Sequence, residues 1–188
     1  MSLVDLVLEL HDHLHSTGVP HAFGGALALA YIAEPRGTVD VDINVFTAVD
    51  GLDQTLAEFA TLGFHPELDR SAWLPIAGIR LRRPADPFPV DVFPPLDAEC
   101  YDEIARRCVE QPFGTEARVL PFLSAEDLVV FKLSFGRDKD WVDLRNISRA
   151  RPDLDADYVE RQLLALRGPS MHPRLARLRR LLREAHDR

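Results

Sequence analysis

The sequence is poor in cysteine and has no long hydrophobic run. Its 188 residues include two cysteines, Cys100 and Cys108, which form no CxxC pair. This scarcity predicts a reducing compartment and no disulfide framework, although a single bridge stays open. No stretch of about 18 consecutive apolar residues is present, which excludes a membrane-spanning helix. The first residues have neither the basic stretch nor the apolar segment of a secretory signal, so we expect a cytoplasmic protein.

Basic residues are fewer than acidic residues in this sequence, 22 against 30. The formal net charge of -8 and the pI near 5.3 argue against broad nonspecific binding of nucleic acid. A local basic patch stays open on the last predicted helix, which carries Arg174, Arg177, Arg179, Arg180 and Arg183. The sequence also has no P-loop, no Rossmann glycine pattern and no G-x-S-x-G element, so the folds that these motifs mark are not indicated.

The hydrophobic spacing indicates one α+β domain. Strands come first and helices last, which predicts a mixed β-sheet with helices on one side and a helical C-terminal part. We place the core in residues 1–123 and the helical part, packed on it as one unit, in residues 124–188. Predicted helices cover residues 3–17, 26–32, 51–62, 97–107, 124–135, 138–149, 155–166 and 172–186. Predicted strands cover residues 19–23 and 39–46, parts of the proline-rich residues 64–95, and a strand pair within 108–122.

A glycine turn and a pair of carboxylates carry the strongest chemical signal. Gly24 and Gly25 open an apolar helix that we expect to be buried, and a glycine turn there offers bare N–H groups to a phosphate. Asp40 and Asp42 follow on a β-branched run, where residues two apart in a strand share a face. Their oxygens suit Mg²⁺. A solvated strand edge would show the same alternation, but the upstream glycines favour a metal–nucleotide site.

Asp91 is a candidate third carboxylate. It lies between Val90 and Val92, so its side chain faces away from their apolar side. A carboxylate from a neighbouring strand would complete a two-metal clamp for an in-line displacement. The alternative is a solvated strand residue.

The two lysines give an independent signal. Lys132 and Lys139 are the only lysines beside 20 arginines, and a lysine offers a compact point charge that the planar arginine does not. Lys132 lies in an apolar helix, where a bare charge is costly without a partner such as a triphosphate or the carboxylate cluster. Lys139 also has Asp143 four residues on as an ordinary helix pair. Asp140 and Asp143 fit either a role in positioning Lys132 or a solvated helix face.

Arg36 and Thr38 stand just before the carboxylate pair. They could steady a phosphate or the loop itself, and the alternative is a loop arginine and a threonine at the start of a strand.

Taken in order, these residues resemble a known family. Gly24-Gly25, Arg36, Thr38, Asp40-x-Asp42 and Asp91 resemble the nucleotidyltransferase superfamily related to DNA polymerase β. The downstream residues resemble its small bacterial branch that includes AbiEii-type toxins, through Ser124-Ala125-Glu126-Asp127-Leu128, Lys132-Leu133, Arg137-Asp138-Lys139-Asp140 and Asp143-Leu144. The resemblance covers roughly residues 19–147.

The resemblance implies a role for each matched residue. Gly24 and Gly25 would contact the nucleotide phosphates, and Lys132 would contact the triphosphate. The Mg²⁺ ligands would be Asp40, Asp42 and Asp91, with Asp91 as ligand or as base for the attacking hydroxyl. Further nucleotide-binding positions would be Arg36, Thr38, Lys139 and Asp143. Many members carry Gly-Ser at the turn, whereas Gly25 offers only its backbone.

The resemblance also implies a reaction. The enzyme would move an NMP from an NTP to a hydroxyl of a tRNA, a protein or a small molecule. A toxin–antitoxin component with a cognate partner is one form that it could take. The alternative is a module that keeps the fold without turnover and binds a partner protein.

Overall fold

The computed structural model describes residues 1–68, 78–84 and 86–187. Part of the segment 64–95, for which strands are predicted, therefore lies outside the described residues. The described helices are α1 (Leu3–Ser16), α2 (Gly25–Ile32), α3 (Leu52–Thr61), α4 (Ala98–Arg107), α5 (Ala125–Phe135), α6 (Asp138–Ala150), α7 (Ala156–Arg167) and α8 (His172–His186). The described strands are β1 (His21–Phe23), β2 (Val41–Val45), β3 (His65–Pro66), β4 (Ile79–Arg82), β5 (Val90–Phe93), β6 (Val109–Phe113) and β7 (Arg118–Phe122).

The strands form one mixed sheet in the order β3-β4-β5-β2-β1-β7-β6. β2 runs parallel to β5, and β1 parallel to β7, while the other neighbours are antiparallel. The register places Asp42 beside Asp91 and Asp91 beside Arg80. Residues paired across neighbouring strands share a face, so these three side chains form one row across β2, β5 and β4. The predicted α+β class, with its mixed sheet and helical C-terminal part, is confirmed.

Two local predictions need correction. The strand expected from residue 39 begins at Val41, so Asp40 lies in the bend before β2. Val39 is 73% exposed and gains nothing from the apolar face that holds the rest of the strand. The helix after the glycines is only partly buried, since Ala30 and Tyr31 are exposed. The Tyr31 hydroxyl donates to the Pro112 carbonyl at 2.7 Å, which keeps its polar end at the surface.

Helix α5 is the centre of the C-terminal part. Every residue from Ala125 to Leu133 is buried, and α5 packs against α2, α6 and α7. It ends at Gly136 in the left-handed conformation (φ 64°), a common way to close a helix. The Arg174 Nη1 of α8 donates to the carbonyls of Leu133 at 2.6 Å and Ser134 at 2.8 Å, which satisfies two acceptors of its last turn. The division after residue 123 stays a prediction.

Most arginines of α8 have partners within the chain. Besides Arg174, Arg177 lies 3.8 Å from the ring centre of Trp141. Arg179 pairs with Asp157 and Glu160, and Arg180 pairs with Glu184. Arg179 and Arg180 pair with carboxylates, whereas Arg174 and Arg177 contact uncharged groups, so the basic patch left open by the sequence is neutralised only in part. Within the described ranges, no helix has the length and apolarity to cross a membrane, and Cys100 and Cys108 are free thiols.

Candidate active site

An open cleft between the β2–β5 face and helices α5 and α6 gathers most of the predicted site residues. Its empty space, which includes the solvent-open mouth, is about 640 Å³. The predicted residues that line it are Gly25, Arg36, Asp40, Asp42, Asp91, Lys132 and Lys139. The other three, Gly24, Thr38 and Asp143, contact those residues from behind. The structure thus brings together residues that lie more than one hundred positions apart.

The glycine turn and the carboxylate of Asp42 are packed directly against each other. Gly25 begins α2 with a φ of +53°, which L side chains rarely adopt. A Cβ at Gly25 would overlap the Asp42 carboxylate, and one at Gly24 would lie 2.9 Å from the Asn44 Nδ2. The absence of both side chains lets the carboxylate reach the N-terminus of the helix. A serine at position 25, as in many nucleotidyltransferases, would not fit this arrangement.

Asp42 is a partly buried carboxylate without a neutralising contact. Within the described part of the chain, no hydrogen bond or ion pair reaches it. Its pKa is raised to about 7, mainly by burial and then by the charges of Asp40 and Asp91, against smaller opposing effects of Lys132 and Lys139. Burial and like charges both disfavour ionisation. A cation bound between these carboxylates would therefore offset their repulsion and favour the ionised form of Asp42.

Asp40 and Asp91 are each held by a neighbouring side chain. The Thr38 Oγ1 donates to the Asp40 Oδ1 at 2.6 Å. The Arg80 guanidinium makes a bidentate contact to Asp91, with Nε 2.8 Å from Oδ1 and Nη2 2.7 Å from Oδ2. The same Nη2 lies 3.5 Å from the Asp40 Oδ2. Arg80 thus bridges two of the three predicted metal ligands.

Arg80 was not predicted as a site residue. The alternation of Ile79-Arg80-Leu81-Arg82 places it on the polar face of a strand. The pairing of β4 with β5, which sets Arg80 beside Asp91, is set by contacts between separate segments, so local alternation does not indicate it. Hydrogen bonding to Asp91 raises the pKa of Arg80 above its ordinary value, so the guanidinium stays charged.

Asp40, Asp42 and Asp91 are the candidate ligands for Mg²⁺. Among the described residues, no three His, Cys, Asp or Glu side chains are placed to hold a metal ion, and Asp91 is engaged by Arg80. Mg²⁺, however, usually takes one or two carboxylates together with substrate phosphates. Asp40 and Asp42 provide such a pair, and the carboxylate of Asp42 has no competing partner. The residues therefore fit the ion.

The buried lysine has a partner inside the protein. Lys132 is 4% exposed, and its Nζ lies 2.5 Å from the Asp143 Oδ2. Asp143 also accepts from the Arg36 Nε and Nη2, each at 3.0 Å. Burial alone would raise the pKa of Asp143, but the hydrogen bonds from Arg36 and Lys132 lower it. The predicted pairing of Asp143 with Lys139 is not observed, because Asp143 turns inward to hold the other two cations.

The N-terminus of α6 adds Arg137, which was not predicted as a site residue, and Asp140, for which a positioning role and a solvated helix face were both open; both line the cleft. Arg137 donates from its Nε to the Asp140 Oδ2 at 2.8 Å, and its backbone N–H donates to the same oxygen at 3.0 Å. Lys139 lines the cleft beside them, and no ion pair joins it to another described residue. Lys139 is therefore a cationic side chain available to a ligand.

Solved structures with the same fold are nucleotidyltransferases and a related protein. ANT(2″)-Ia in complex with adenylyl-2″-tobramycin aligns with a TM-score of 0.56 at 16% identity, over 89% of this chain and 98% of that one. The chain has the nucleotidyltransferase fold. The lincomycin-bound lincosamide antibiotic adenylyltransferase LnuA aligns with a TM-score of 0.54 at 15% identity, over 78% and 96% of the two chains. An antigenic nucleotidyltransferase-like protein from Paracoccidioides brasiliensis aligns at 0.53 and 17% identity, over 94% and 91%. No protein-family model and no curated protein matches the sequence.

Proposed function

We propose that this chain is a Mg²⁺-dependent nucleotidyltransferase that moves an NMP from an NTP to a hydroxyl group. The observation that carries the proposal is the partly buried carboxylate of Asp42, which lies beside Asp40 and against the bare turn at Gly25. A carboxylate in this position is stabilised by a cation, and the turn beside it offers backbone N–H groups at a helix N-terminus, where phosphate binds readily. The fold shared with nucleotidyltransferases supports this chemistry.

Each residue then has a defined task. Asp40 and Asp42 would hold Mg²⁺, which when bound neutralises charge on the reacting phosphates. The backbone at Gly24 and Gly25 would face the phosphates, and Lys139 would contact them from the opposite wall. Asp91 would accept the proton of the attacking hydroxyl after Arg80 moves away.

Two side chains would act through their fixed positions. Lys132 and Arg36 are held by Asp143, so their positive charges stay at the cleft without an induced rearrangement. Electrostatic groups that are already in place need no reorganisation during the reaction. Asp143 is therefore a positioning residue in this proposal and does not touch the nucleotide.

A small-molecule acceptor is the form of the reaction that we propose. Two proteins of this fold are adenylyltransferases whose structures carry an adenylylated antibiotic or a bound antibiotic. The contacts of the α8 arginines within the chain, together with the net charge of -8, make the surface less favourable for a tRNA. Protein and tRNA acceptors, the AbiEii-type branch and an antitoxin partner stay predictions.

The Arg80 contact favours a second candidate, a module that binds a partner protein without turnover. While Arg80 holds both oxygens of Asp91, that carboxylate is not free to accept a proton. The module would keep this pair permanently.

Label transfer tests the proposal and separates the two candidates. The protein is incubated with the four α-³²P-labelled NTPs, Mg²⁺ and a fraction of small hydroxyl compounds from cell lysate, with parallel samples that contain tRNA or protein. We expect transfer to small molecules by wild type and none by Asp42→Asn, which keeps the shape of the side chain. Nucleotide binding by calorimetry without transfer to any acceptor would refute the enzyme and support the module.

A further inference from the structure

Aromatic side chains form one wall of the cleft. Phe93 lies 6.2 Å from Phe131 and 5.8 Å from Phe135 between ring centres, and all three line the cleft. Leu123 and Leu128, both 1% exposed, close its deep end. Phe93 and Phe135 are half-buried. The Arg137 guanidinium lies over the Phe135 ring, 4.8 Å from its centre, so a ligand would meet the exposed part of each ring beside this cation.

This aromatic wall (Phe93, Phe131 and Phe135) lies on the side of the cleft where the acceptor would enter. Asp91 and Phe93 are two residues apart on β5 and therefore share a face. Under the proposed function, Asp91 receives the proton of the attacking hydroxyl. The glycine turn, where the phosphates would lie, is on the other side of the row, beyond Asp42. A group bound near Asp91 thus meets the ring of Phe93.

Among the described residues that line the cleft, no carboxylate is left for a cationic acceptor. Asp140 is engaged by Arg137, and Asp143, behind the lining, by Lys132 and Arg36. The three remaining acids form the cluster assigned to the metal and the proton. An acceptor with several ammonium groups would find the charges of Arg137 and Lys139 and no free partner, and unpaired like charges at an interface are strongly disfavoured.

One buried amide at the cleft lacks a partner. Asn44 is 2% exposed and lines the cleft, two residues after Asp42 on the same strand. Its Oδ1 has no hydrogen bond within the described part of the chain, whereas its Nδ2 is packed near Gly24. A buried acceptor without a donor is costly, so a ligand that brings a neutral O–H or N–H group would satisfy it.

From the aromatic wall, the engaged carboxylates and the unpartnered amide we infer the chemical class of the acceptor. It is an uncharged hydroxyl compound with an apolar or aromatic ring, which packs on Phe93 and Phe135 and presents its hydroxyl to Asp91. This inference rests on the proposed function. The acceptor oxygen forms a bond to the α-phosphorus of the NTP, the bond from that phosphorus to the pyrophosphate oxygen breaks, and the hydroxyl proton passes to Asp91.

Two simple probes test the inference, the aryl alcohol 2-phenylethanol and the dication of 1,3-diaminopropan-2-ol. Transfer from α-³²P-ATP to each is measured for wild type, Phe135→Ala and Phe135→Leu. The control is Phe113→Ala, which removes an equally half-buried phenylalanine from β6. Binding of 2-phenylethanol is measured separately by saturation-transfer NMR in the presence of Mg²⁺ and α,β-methylene-ATP, so that the ring site is observed without turnover.

We expect kcat/KM for the aryl alcohol to exceed that for the diamino alcohol by at least about tenfold, and Phe135→Ala to lower it by roughly tenfold. Phe135→Leu should recover part of this loss, and Phe113→Ala should match wild type. The saturation-transfer signal of 2-phenylethanol should weaken most in Phe135→Ala and should not weaken in Phe113→Ala. A preference for the diamino alcohol, or no binding of the ring by wild type, would overturn the inference.

Two further outcomes are assigned in advance. If Phe135→Ala weakens the binding of α,β-methylene-ATP alone, the aromatic wall holds the nucleobase, and the inference is wrong. If the ring binds in a Phe135-dependent manner but no hydroxyl compound receives label, the proposed function fails while the ligand class of the wall is supported.

Discussion

Arg80 should compete with a divalent cation for the carboxylate cluster. Its guanidinium is bidentate on Asp91 and approaches Asp40, which are two of the three carboxylates of the cluster. Replacing it by glutamine removes the positive charge and keeps a polar side chain of similar reach. The affinity of the resting protein for a divalent cation should therefore rise, whereas an arginine that merely supports the fold would have no such effect.

The size of this effect follows from exposure and geometry. Hydrogen bonds to charged groups contribute about 1.5–3 kcal/mol, but the Arg80 side chain is 41% exposed, and solvent screening reduces such pairs to about 1 kcal/mol. We therefore expect Arg80→Gln to bind Mn²⁺ about fivefold more tightly without nucleotide, since about 1.4 kcal/mol corresponds to a factor of ten. Electron paramagnetic resonance of free Mn²⁺ gives the affinity directly.

The matched control for this experiment is Arg82→Gln. Arg82 lies two residues along the same strand, and its partner is Glu67 on β3, away from the cluster. Its substitution should leave Mn²⁺ binding unchanged. Equal or weaker Mn²⁺ binding by Arg80→Gln than by wild type would show that Arg80 does not compete for these carboxylates.

Three other substitutions or conditions give separate expectations. Gly25→Ser should lose nucleotide binding, measured by calorimetry, because its Cβ would displace the Asp42 carboxylate. It should also lose about 1–3 kcal/mol of unfolding free energy in urea, because a side chain at this positive φ strains the turn. Lys132→Met should lower the unfolding free energy by about 3–5 kcal/mol, since it removes one cation from the buried carboxylate of Asp143. Burial lowers the pKa of His21 to about 4, so the unfolded chain takes up a proton before the folded one does. Stability should therefore fall as the pH drops from 6.5 to 4, by up to about 3 kcal/mol in urea titrations.

Each expectation has a result that contradicts it. Nucleotide binding by Gly25→Ser equal to that of wild type would show that the Asp42 carboxylate does not need this space. A Lys132→Met protein as stable as wild type would mean that the remaining Arg36 contact suffices for Asp143. For the pH effect, the control is His21→Gln, which should flatten the stability profile between pH 6.5 and 4, and an unchanged slope would assign the loss to other groups.

The sequence predicted those site residues whose signals are local. Asp42 and Asp91 stand out because strand alternation is visible within five residues, and Lys132 stands out because a charge in an apolar helix is anomalous wherever the helix packs. Asp40 was assigned to the strand, but the strand starts one residue later, since the exposed Val39 adds no buried apolar surface. The two carboxylates nevertheless line the same cleft.

The remaining parts of the site depend on pairings between distant segments. Arg80 reaches Asp91 only through the register of β4 on β5, and alternation within one strand does not specify which strand lies beside it. The Asp143 contacts similarly join α6 to α5 and to the loop that carries Arg36. The helices of the fold could be predicted closely, because their apolar periodicity and capping residues are contained within each segment.

The contact between Arg174 and the end of α5 links the completion of the cleft to the synthesis of α8. Arg174 binds the carbonyls of Leu133 and Ser134, directly before Phe135 of the aromatic wall. The last residue that lines the cleft, Asp140, is made about 34 positions before this arginine is added. Until α8 emerges and docks, water must serve the last carbonyls of α5 in place of Arg174. The binding site of this protein therefore matures only after α8 has been made, not when its own lining residues are finished.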